Sequence, residues 1–152
     1  MDWKNFDRTN HSIGQNCYHL IWTPKYRYPL FRYPNWARLM EQILRDVAKR
    51  HRMNLHEVTV ESDHVHCFIG MPCTMSVSEA QRLLKGASAY EYRKRKMIRQ
   101  YKALWSRGTF YRSIGSTTTE AVYHYINDSH HIRKIPRNQQ RLDEGRTQPR
   151  SG

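Results

Sequence analysis

The sequence contains few of the residues that would cross-link the chain or anchor it in a membrane. Only three of its 152 residues are cysteines, Cys17, Cys67 and Cys73. An odd number in a chain long enough to fold without disulfides favours reduced thiols. No apolar run approaches the ~20 residues of a membrane-spanning helix, and the start, MDWKNFDRTN, lacks the apolar stretch of a signal peptide. We therefore expect a cytoplasmic protein with no membrane partner.

Acidic residues are also scarce. Thirteen Asp and Glu stand against twenty-six Lys and Arg, so the formal net charge is +13. Such an excess attracts polyanions through counterion release and electrostatic steering, and nucleic acid is the expected partner. The chain has neither a Gly-rich phosphate loop nor a P-loop ending in Lys-Ser or Lys-Thr. We expect no nucleotide cofactor.

Apolar periodicity predicts six principal elements. The segments CYHLIWTPKYR, MNLHEVTVES, HVHCFIGMP and TFYRSIG read as strands, the first of which Pro24 ends or places at a sheet edge. Apolar residues recur at three- and four-residue steps from Pro34 to Arg52 and again from Ser76, where Ser76 and Glu79 form a capping-box pair, and this predicts two amphipathic helices. The order strand, helix, strand, strand, helix, strand predicts an α+β fold of the ferredoxin-like (split βαβ, RRM-like) type, a four-stranded antiparallel sheet with helices on one face.

The two ends of the chain differ from this central part. Residues 1–14 are polar and predict a loose segment, and residues 15–131 form the expected domain. The domain closes with a further helix, TTTEAVYHYINDSHH, which carries two tyrosines. The tail 132–152 is basic and buries too little apolar surface to offset the entropy of ordering it, so we expect disorder there.

The segment HVHCFIG contains the first candidate site. His64 and His66 lie two residues apart, so on a strand both side chains leave the same face with Cα atoms ~6.6 Å apart. Two imidazoles so placed can converge on one divalent metal ion. By itself such a pair also fits two histidines that are exposed on the surface or packed within the sheet. A zinc site drawing on Cys67 or Cys73 is a further alternative, although Cys67 points away from the histidines.

Three blocks place this pair in a larger pattern. The segments YHLIWTPKYRYPLF, SDHVHCFIG and IGSTTTEAVYHYINDS together resemble the single-tyrosine HUH transposases of small insertion sequences, the IS200-like family, and their REP-associated relatives. The resemblance runs from about Cys17 to Ser129. It implies a metal-dependent DNA strand transferase that cleaves and rejoins single-stranded DNA through a 5′-phosphotyrosine.

The resemblance assigns roles to particular residues. His64 and His66 correspond to the HUH histidines, and the nucleophile of the last helix falls on Tyr125. Tyr123 is the rival, but it lies about 200° around the helix, so the two hydroxyls cannot face the same metal. Family members usually carry an amide ligand where this chain has Ser129, and the third position is therefore assigned to Asp128, which projects to the same helix face as Tyr125.

The resemblance also implies partners. The substrate would be single-stranded DNA with hairpins at the ends of the element, bound by a homodimer whose tyrosine helix is exchanged between subunits about a hinge at Gly115. The expected cofactor is Mg²⁺ or Mn²⁺. The candidate phosphate contacts follow the first strand or lie on the second helix: Lys25, Arg27, Arg32, Arg82, Lys85, Arg93, Lys94, Arg95 and Lys96.

Two other functions fit parts of the sequence. A split βαβ sheet with aromatic residues and positive charge also describes a non-catalytic RRM-like nucleic-acid-binding module. A domesticated relative that no longer moves an element would keep the same site residues.

Overall fold

The computed structural model of the chain describes residues 7–96 and 103–115. A two-stranded β-hairpin precedes a four-stranded sheet and two helices. The elements in chain order are β1 (Asp7–Arg8), β2 (Ile13–Gly14), β3 (Cys17–Trp22), a 3-10 turn (Lys25–Arg27), α1 (Pro34–Arg50), β4 (Asn54–Val60), β5 (Val65–Gly70), α2 (Val77–Lys96) and β6 (Phe110–Ile114).

The four long strands form one antiparallel sheet in the order β4-β5-β3-β6. The strand that precedes α1 thus lies inside the sheet, and the strand that follows α2 lies at its edge. The predicted α+β fold, with a four-stranded antiparallel sheet and two helices, is confirmed. The strand order is compatible with the split βαβ arrangement.

Alternation along the strands separates a core face from the opposite face of the sheet. Leu20 and Trp22 of β3, and Val65, Cys67 and Ile69 of β5, are buried in the core. The helices complete this core with two sets of buried residues, Met40, Ile43, Leu44, Val47 and Ala48 from α1 and Ala80, Leu84 and Tyr92 from α2. Each Leu or Ile buried here contributes ~1.5–3 kcal/mol through removal of apolar surface from water. Both helices therefore cover the same face of the sheet.

Local signals set the helix ends. Ser76 caps α2 as predicted, since its Oγ accepts a hydrogen bond from the Glu79 backbone N–H at 3.1 Å. The first helix begins at Pro34, as its sequence predicts, but ends at Arg50 instead of Arg52. Arg52 adopts φ 60°, a left-handed conformation that a continuing helix does not allow.

Several predicted features lie at or beyond the edges of the described residues. Within the segment expected to be loose, residues 7–14 form the β1-β2 hairpin, with Asp7 paired to Gly14 and Arg8 to Ile13. The predicted tyrosine helix and the basic tail lie outside the described residues. Among the helices that the structure describes, none is both long and apolar enough to cross a membrane.

Candidate metal centre and DNA interface

The two histidines of the segment HVHCFIG project from the sheet on the side opposite α1 and α2. His64 directly precedes β5 and His66 is its second residue, while Val65 and Cys67 between and beside them point into the core. Because side chains alternate along a strand, both imidazoles are on the other side, which we call the far face. The two-residue spacing thus gives the common orientation that a shared metal ion requires.

A row of stacked rings continues across the far face from His66. The His66 ring stacks on His19 of β3 with centroids 5.1 Å apart, and His19 stacks in turn on Phe68 at 5.2 Å. His56 of β4 packs on the other side of Phe68 at 4.8 Å. The register explains this row, because His19 stands directly opposite Phe68 and Ile21 directly opposite His66. His66 is therefore braced by its neighbours in the sheet.

His64 is held by a carboxylate. Its Nδ1 lies 2.9 Å from Asp63 Oδ1, and the other oxygen of Asp63 accepts a hydrogen bond from Arg27 Nη2 at 3.2 Å. The hydrogen bond from His64 holds the pKa of Asp63 below its usual value, and the Arg27 charge acts in the same direction. Asp63 is therefore ionised at neutral pH and accepts hydrogen bonds from both partners.

The turn that delivers Arg27 has an unusual backbone. Tyr26 and Arg27 both have positive φ, 62° and 50°, although neither is a glycine. Such conformations cost about 1–3 kcal/mol each and persist where surrounding contacts impose them. Here the Lys25 N–H donates to Leu104 O at 2.9 Å, and the Phe31 N–H donates to Ser62 O at 3.0 Å, directly beside Asp63. The turn is thus fastened to the segment that carries the histidines.

Of the residues predicted to bind a metal ion, the structure describes His64 and His66. Within 7–96 and 103–115, no three His, Cys, Asp or Glu side chains converge as a metal-binding group. Two imidazoles facing one way are a suitable pair of ligands for Mn²⁺ and related ions, and phosphate oxygens suit Mg²⁺ as well. Tyr123, Tyr125, Asp128 and Ser129 lie outside the described residues, and their roles stay predictions.

The basic residues predicted to contact phosphate differ in the hydrogen bonds, ion pairs and ring contacts that they already make within the protein. Lys85 Nζ donates to the carbonyl oxygens of Ser106, Arg107 and Gly108 and to Thr109 Oγ1, over 2.8–3.2 Å. Burial lowers the pKa of Lys85 from its usual value. A phosphate would have to compete with four protein oxygens for this ammonium group.

Two other basic residues of the first turn and of α2 have ionic partners. Arg82 forms a bidentate pair with Glu79, at 3.1 and 2.7 Å, and Arg27 pairs with Asp63 as described above. Lys25 lies over the Tyr26 ring, with Nζ 5.3 Å from the ring centroid. The contacts of Arg82 and Lys25 lie at the surface, and they are weak enough to be exchanged for a phosphate at small cost.

A second group combines basic and aromatic side chains near the start of α1. Arg32 lies over Tyr33 at 5.1 Å, Tyr33 packs against Trp36 at 5.6 Å, and Lys96 from the end of α2 lies over Trp36 at 4.9 Å. Lys94 and Arg95, in the last turn of α2, are exposed. Arg93 differs from them, since its Nε and Nη2 are buried without a hydrogen-bond partner among the described residues.

Two residues of the site were not predicted to act there. The sequence assigned no site role to Asp63, which lies between two predicted strands, or to His19, which lies within the first predicted strand. The sequence showed only that Asp63 directly precedes His64, and that alternation places His19 on one face of its strand. Neither signal identifies a contact without the register between β3 and β5.

Comparison with known proteins places this site in a family. The family model described as "Transposase IS200 like" matches residues 12–129, which include both histidines and Tyr125. The transposase for insertion sequence element IS200 of Salmonella typhimurium is 32% identical over 116 residues, covering 73% of this chain and 75% of that protein. This chain belongs to the IS200-like transposase family. The family identifies it as a DNA transposase, a DNA-processing enzyme.

Further relatives agree with this membership. The ISDra2 transposase TnpA of Deinococcus radiodurans is 28% identical over 127 residues, covering 78% of this chain and 86% of that protein. Among solved structures, a protein described as a candidate transposase from Deinococcus radiodurans R1 aligns with a TM-score of 0.64 at 24% identity, over 82% of this chain and 98% of that one. A REP-associated tyrosine transposase bound to a REP hairpin aligns with a TM-score of 0.51 at 14% identity, over 79% and 67%. These two structures share the fold.

Proposed function

We propose that this transposase cleaves and rejoins single-stranded DNA at hairpin-marked element ends through a 5′-phosphotyrosine, with a divalent metal at His64 and His66. The observation that carries the proposal is the projection of both imidazoles from the far face, with His64 oriented by Asp63, in a chain matched by the family from residue 12 to 129. The hairpin-bound REP-associated transposase supports the substrate class.

The proposed reaction conserves bond energy. The phenolic oxygen of Tyr125 attacks the scissile phosphorus, the bond from phosphorus to the 3′ oxygen breaks, and that oxygen leaves as a 3′-OH after taking a proton. A second 3′-OH then attacks the phosphotyrosine and restores the phenol, so no nucleotide is consumed. Bound Mg²⁺ or Mn²⁺ would supply Lewis-acid stabilisation of the charge that develops on the phosphate.

The remaining ligand and the assembly are parts of the same proposal. Asp128 supplies the third ligand, since a serine hydroxyl at Ser129 is a poorer donor for a divalent cation. The enzyme acts as a homodimer in the cytoplasm, with the tyrosine segment exchanged between subunits about Gly115. A Cβ placed on Gly115 would meet none of the described atoms within 4 Å.

The net charge and the basic side chains support the choice of DNA as substrate. Lys94 and Arg95 are exposed, and Lys25, Arg32 and Lys96 lie over aromatic rings, so cations and stacking surfaces are interleaved. This combination suits an unpaired strand, whose phosphates and bases both need partners. A non-catalytic RRM-like module would bind DNA in the same way without forming a covalent bond, whereas a domesticated relative that keeps the site residues would form one without moving an element.

Covalent trapping distinguishes the strand transferase from a non-catalytic binding module. Purified protein is incubated with labelled single-stranded oligonucleotides that carry hairpins from the ends of the element, with Mg²⁺ or Mn²⁺, and adducts are resolved under denaturing conditions. We expect an adduct with the wild type and with Tyr123→Phe, and none with Tyr125→Phe or His66→Ala. An adduct that persists in Tyr125→Phe and disappears in Tyr123→Phe would assign the rival tyrosine. Absence of any adduct across metals and end sequences would leave a binding module.

A further inference from the structure

The Asp63 carboxylate links the predicted metal ligand His64 to Arg27, and we propose that it is a positioning residue for that ligand. In this role Asp63 keeps a proton on Nδ1 of His64, and Arg27 fixes the orientation of the Asp63 carboxylate. The proposal rests on the function proposed above in one respect, namely that His64 binds the metal. The tautomer itself is a property of the metal-free protein.

The direction of the hydrogen bond follows from the chemistry of the two groups. An ionised carboxylate can only accept, so the 2.9 Å contact between Asp63 Oδ1 and His64 Nδ1 requires the proton on Nδ1. The other ring nitrogen, Nε2, then keeps its lone pair in the neutral imidazole. A metal ion can use that lone pair without first displacing a proton. Asp63 therefore prepares His64 for coordination before the metal arrives.

Arg27 restricts the carboxylate from its second oxygen. Its Nη2 donates to Asp63 Oδ2 at 3.2 Å, so the two oxygens have separate partners and the plane of the carboxylate is set from both sides. Arg27 reaches this position from a left-handed turn with φ 50°, and the Ser62 carbonyl next to Asp63 accepts from the Phe31 N–H. The strained turn and the segment before β5 are thus one connected unit around His64.

The surroundings of the two histidines show why His64 needs the contact with Asp63. The His64 side chain is 38% exposed and lies just before the strand, whereas His66 lies within the strand and is stacked on His19. Sheet packing therefore orients His66, and the contact with Asp63 is what orients His64. In metal sites where a carboxylate accepts from the distal nitrogen of a histidine ligand, removal of the carboxylate typically lowers affinity about 10- to 100-fold.

The first test uses nuclear magnetic resonance of the metal-free protein. Correlation of the imidazole ¹⁵N and ¹H signals at pH 7.5 reports which nitrogen of His64 carries the proton. We expect the Nδ1-protonated tautomer in the wild type and in Asp63→Asn, whose amide oxygen can still accept, and a shift toward the Nε2-protonated tautomer in Asp63→Ala. A wild-type His64 protonated on Nε2, or a tautomer unchanged in Asp63→Ala, would overturn the proposal.

The second test measures Mn²⁺ binding without DNA by calorimetry or electron paramagnetic resonance. We expect Asp63→Ala to weaken binding about 10- to 100-fold and Asp63→Asn and Arg27→Gln to weaken it less. Arg27→Gln should have no further effect in the Asp63→Ala background, because its action passes through the carboxylate. Glu79→Gln is the matched control, since it removes a surface carboxylate paired with Arg82 on α2.

The two readouts separate this proposal from the metal function. If His64→Ala abolishes Mn²⁺ binding while Asp63→Ala changes neither affinity nor tautomer, the metal site stands and the positioning role of Asp63 is wrong. If the tautomer depends on Asp63 but the wild type binds no Mn²⁺ and forms no DNA adduct, the positioning role stands and the metal function is wrong. Circular dichroism of each variant excludes loss of folding as the cause of a change.

Discussion

His19 and His66 stack their imidazole rings on the far face of the sheet, with centroids 5.1 Å apart and ring planes inclined by 27°. His19 also stacks on Phe68, so it fills the space between a predicted metal ligand and a half-buried aromatic residue. The lateral support of His66 thus comes from a neighbouring strand.

Replacing His19 with alanine should weaken both the fold and the metal site. Loss of two ring contacts at about 0.5–1.5 kcal/mol each lowers the free energy of unfolding by about 1–3 kcal/mol, measured by urea denaturation. Mn²⁺ affinity should fall as well, because His66 loses the ring that stacks on it. His19→Phe keeps a ring at this position and should restore most of the Mn²⁺ affinity. His56→Ala is the control, since His56 contacts Phe68 from the other side. Equal Mn²⁺ affinities in His19→Ala and His56→Ala would contradict the prediction.

A buried hydrogen bond between α2 and the segment before β6 gives a second prediction. The Ser88 side chain is fully buried, and its Oγ accepts from Trp105 Nε1 at 3.1 Å. Ser88→Ala leaves that indole N–H without a partner in the core, which costs about 1–3 kcal/mol of unfolding free energy. Ser78→Ala, at an exposed position of the same helix, is the control and should be neutral or slightly stabilising. The prediction is wrong if the two variants unfold at the same urea concentration.

Most of the sheet and both described helices could be predicted because their patterns are periodic. Leu20 and Trp22 alternate with His19 and Ile21, and this period of two already assigns the buried face of β3. Ser76 indicated the start of α2, because its side chain can cap the first turn of a helix. The end of α1 was missed by two residues, because the left-handed conformation of Arg52 is imposed at a position without glycine.

The site was harder to predict than the fold. The spacing of His64 and His66 is local information, and it sufficed to put both on one face. The contacts that orient them depend on long-range geometry: Asp63 meets Arg27 across 36 positions of sequence, and His19 meets His66 through the register of β3 with β5. Lys85 shows the same limit, since its charge predicted a phosphate contact but not the four protein oxygens around it.

The cysteines should differ sharply in reactivity. Burial raises the pKa of Cys67 to about 12, and burial, with the Asp7 charge, raises the pKa of Cys17. Because the thiolate is the reactive form, burial makes Cys67 unreactive at pH 8 in the folded protein. Cys73 is exposed. We expect a disulfide reagent to label one thiol rapidly and two only on unfolding, and Cys73→Ser to remove the rapid phase. Rapid labelling of two thiols at pH 8 would contradict this.

Lys85 and Lys94 lie on the same helix and should separate stability from DNA binding. Lys85→Met removes a cation bonded to Thr109 Oγ1 and three carbonyl oxygens, and hydrogen bonds to charged groups contribute about 1.5–3 kcal/mol, so the free energy of unfolding should fall by about that amount. Lys94 is exposed, and Lys94→Met should leave stability unchanged.

Binding of a single-stranded oligonucleotide is then measured against salt concentration. If Lys94 contacts phosphate, its loss reduces the slope of log K against log salt by about one, whereas Lys85→Met leaves the slope unchanged. A reduced slope in Lys85→Met with unaltered stability would instead make Lys85 the phosphate contact.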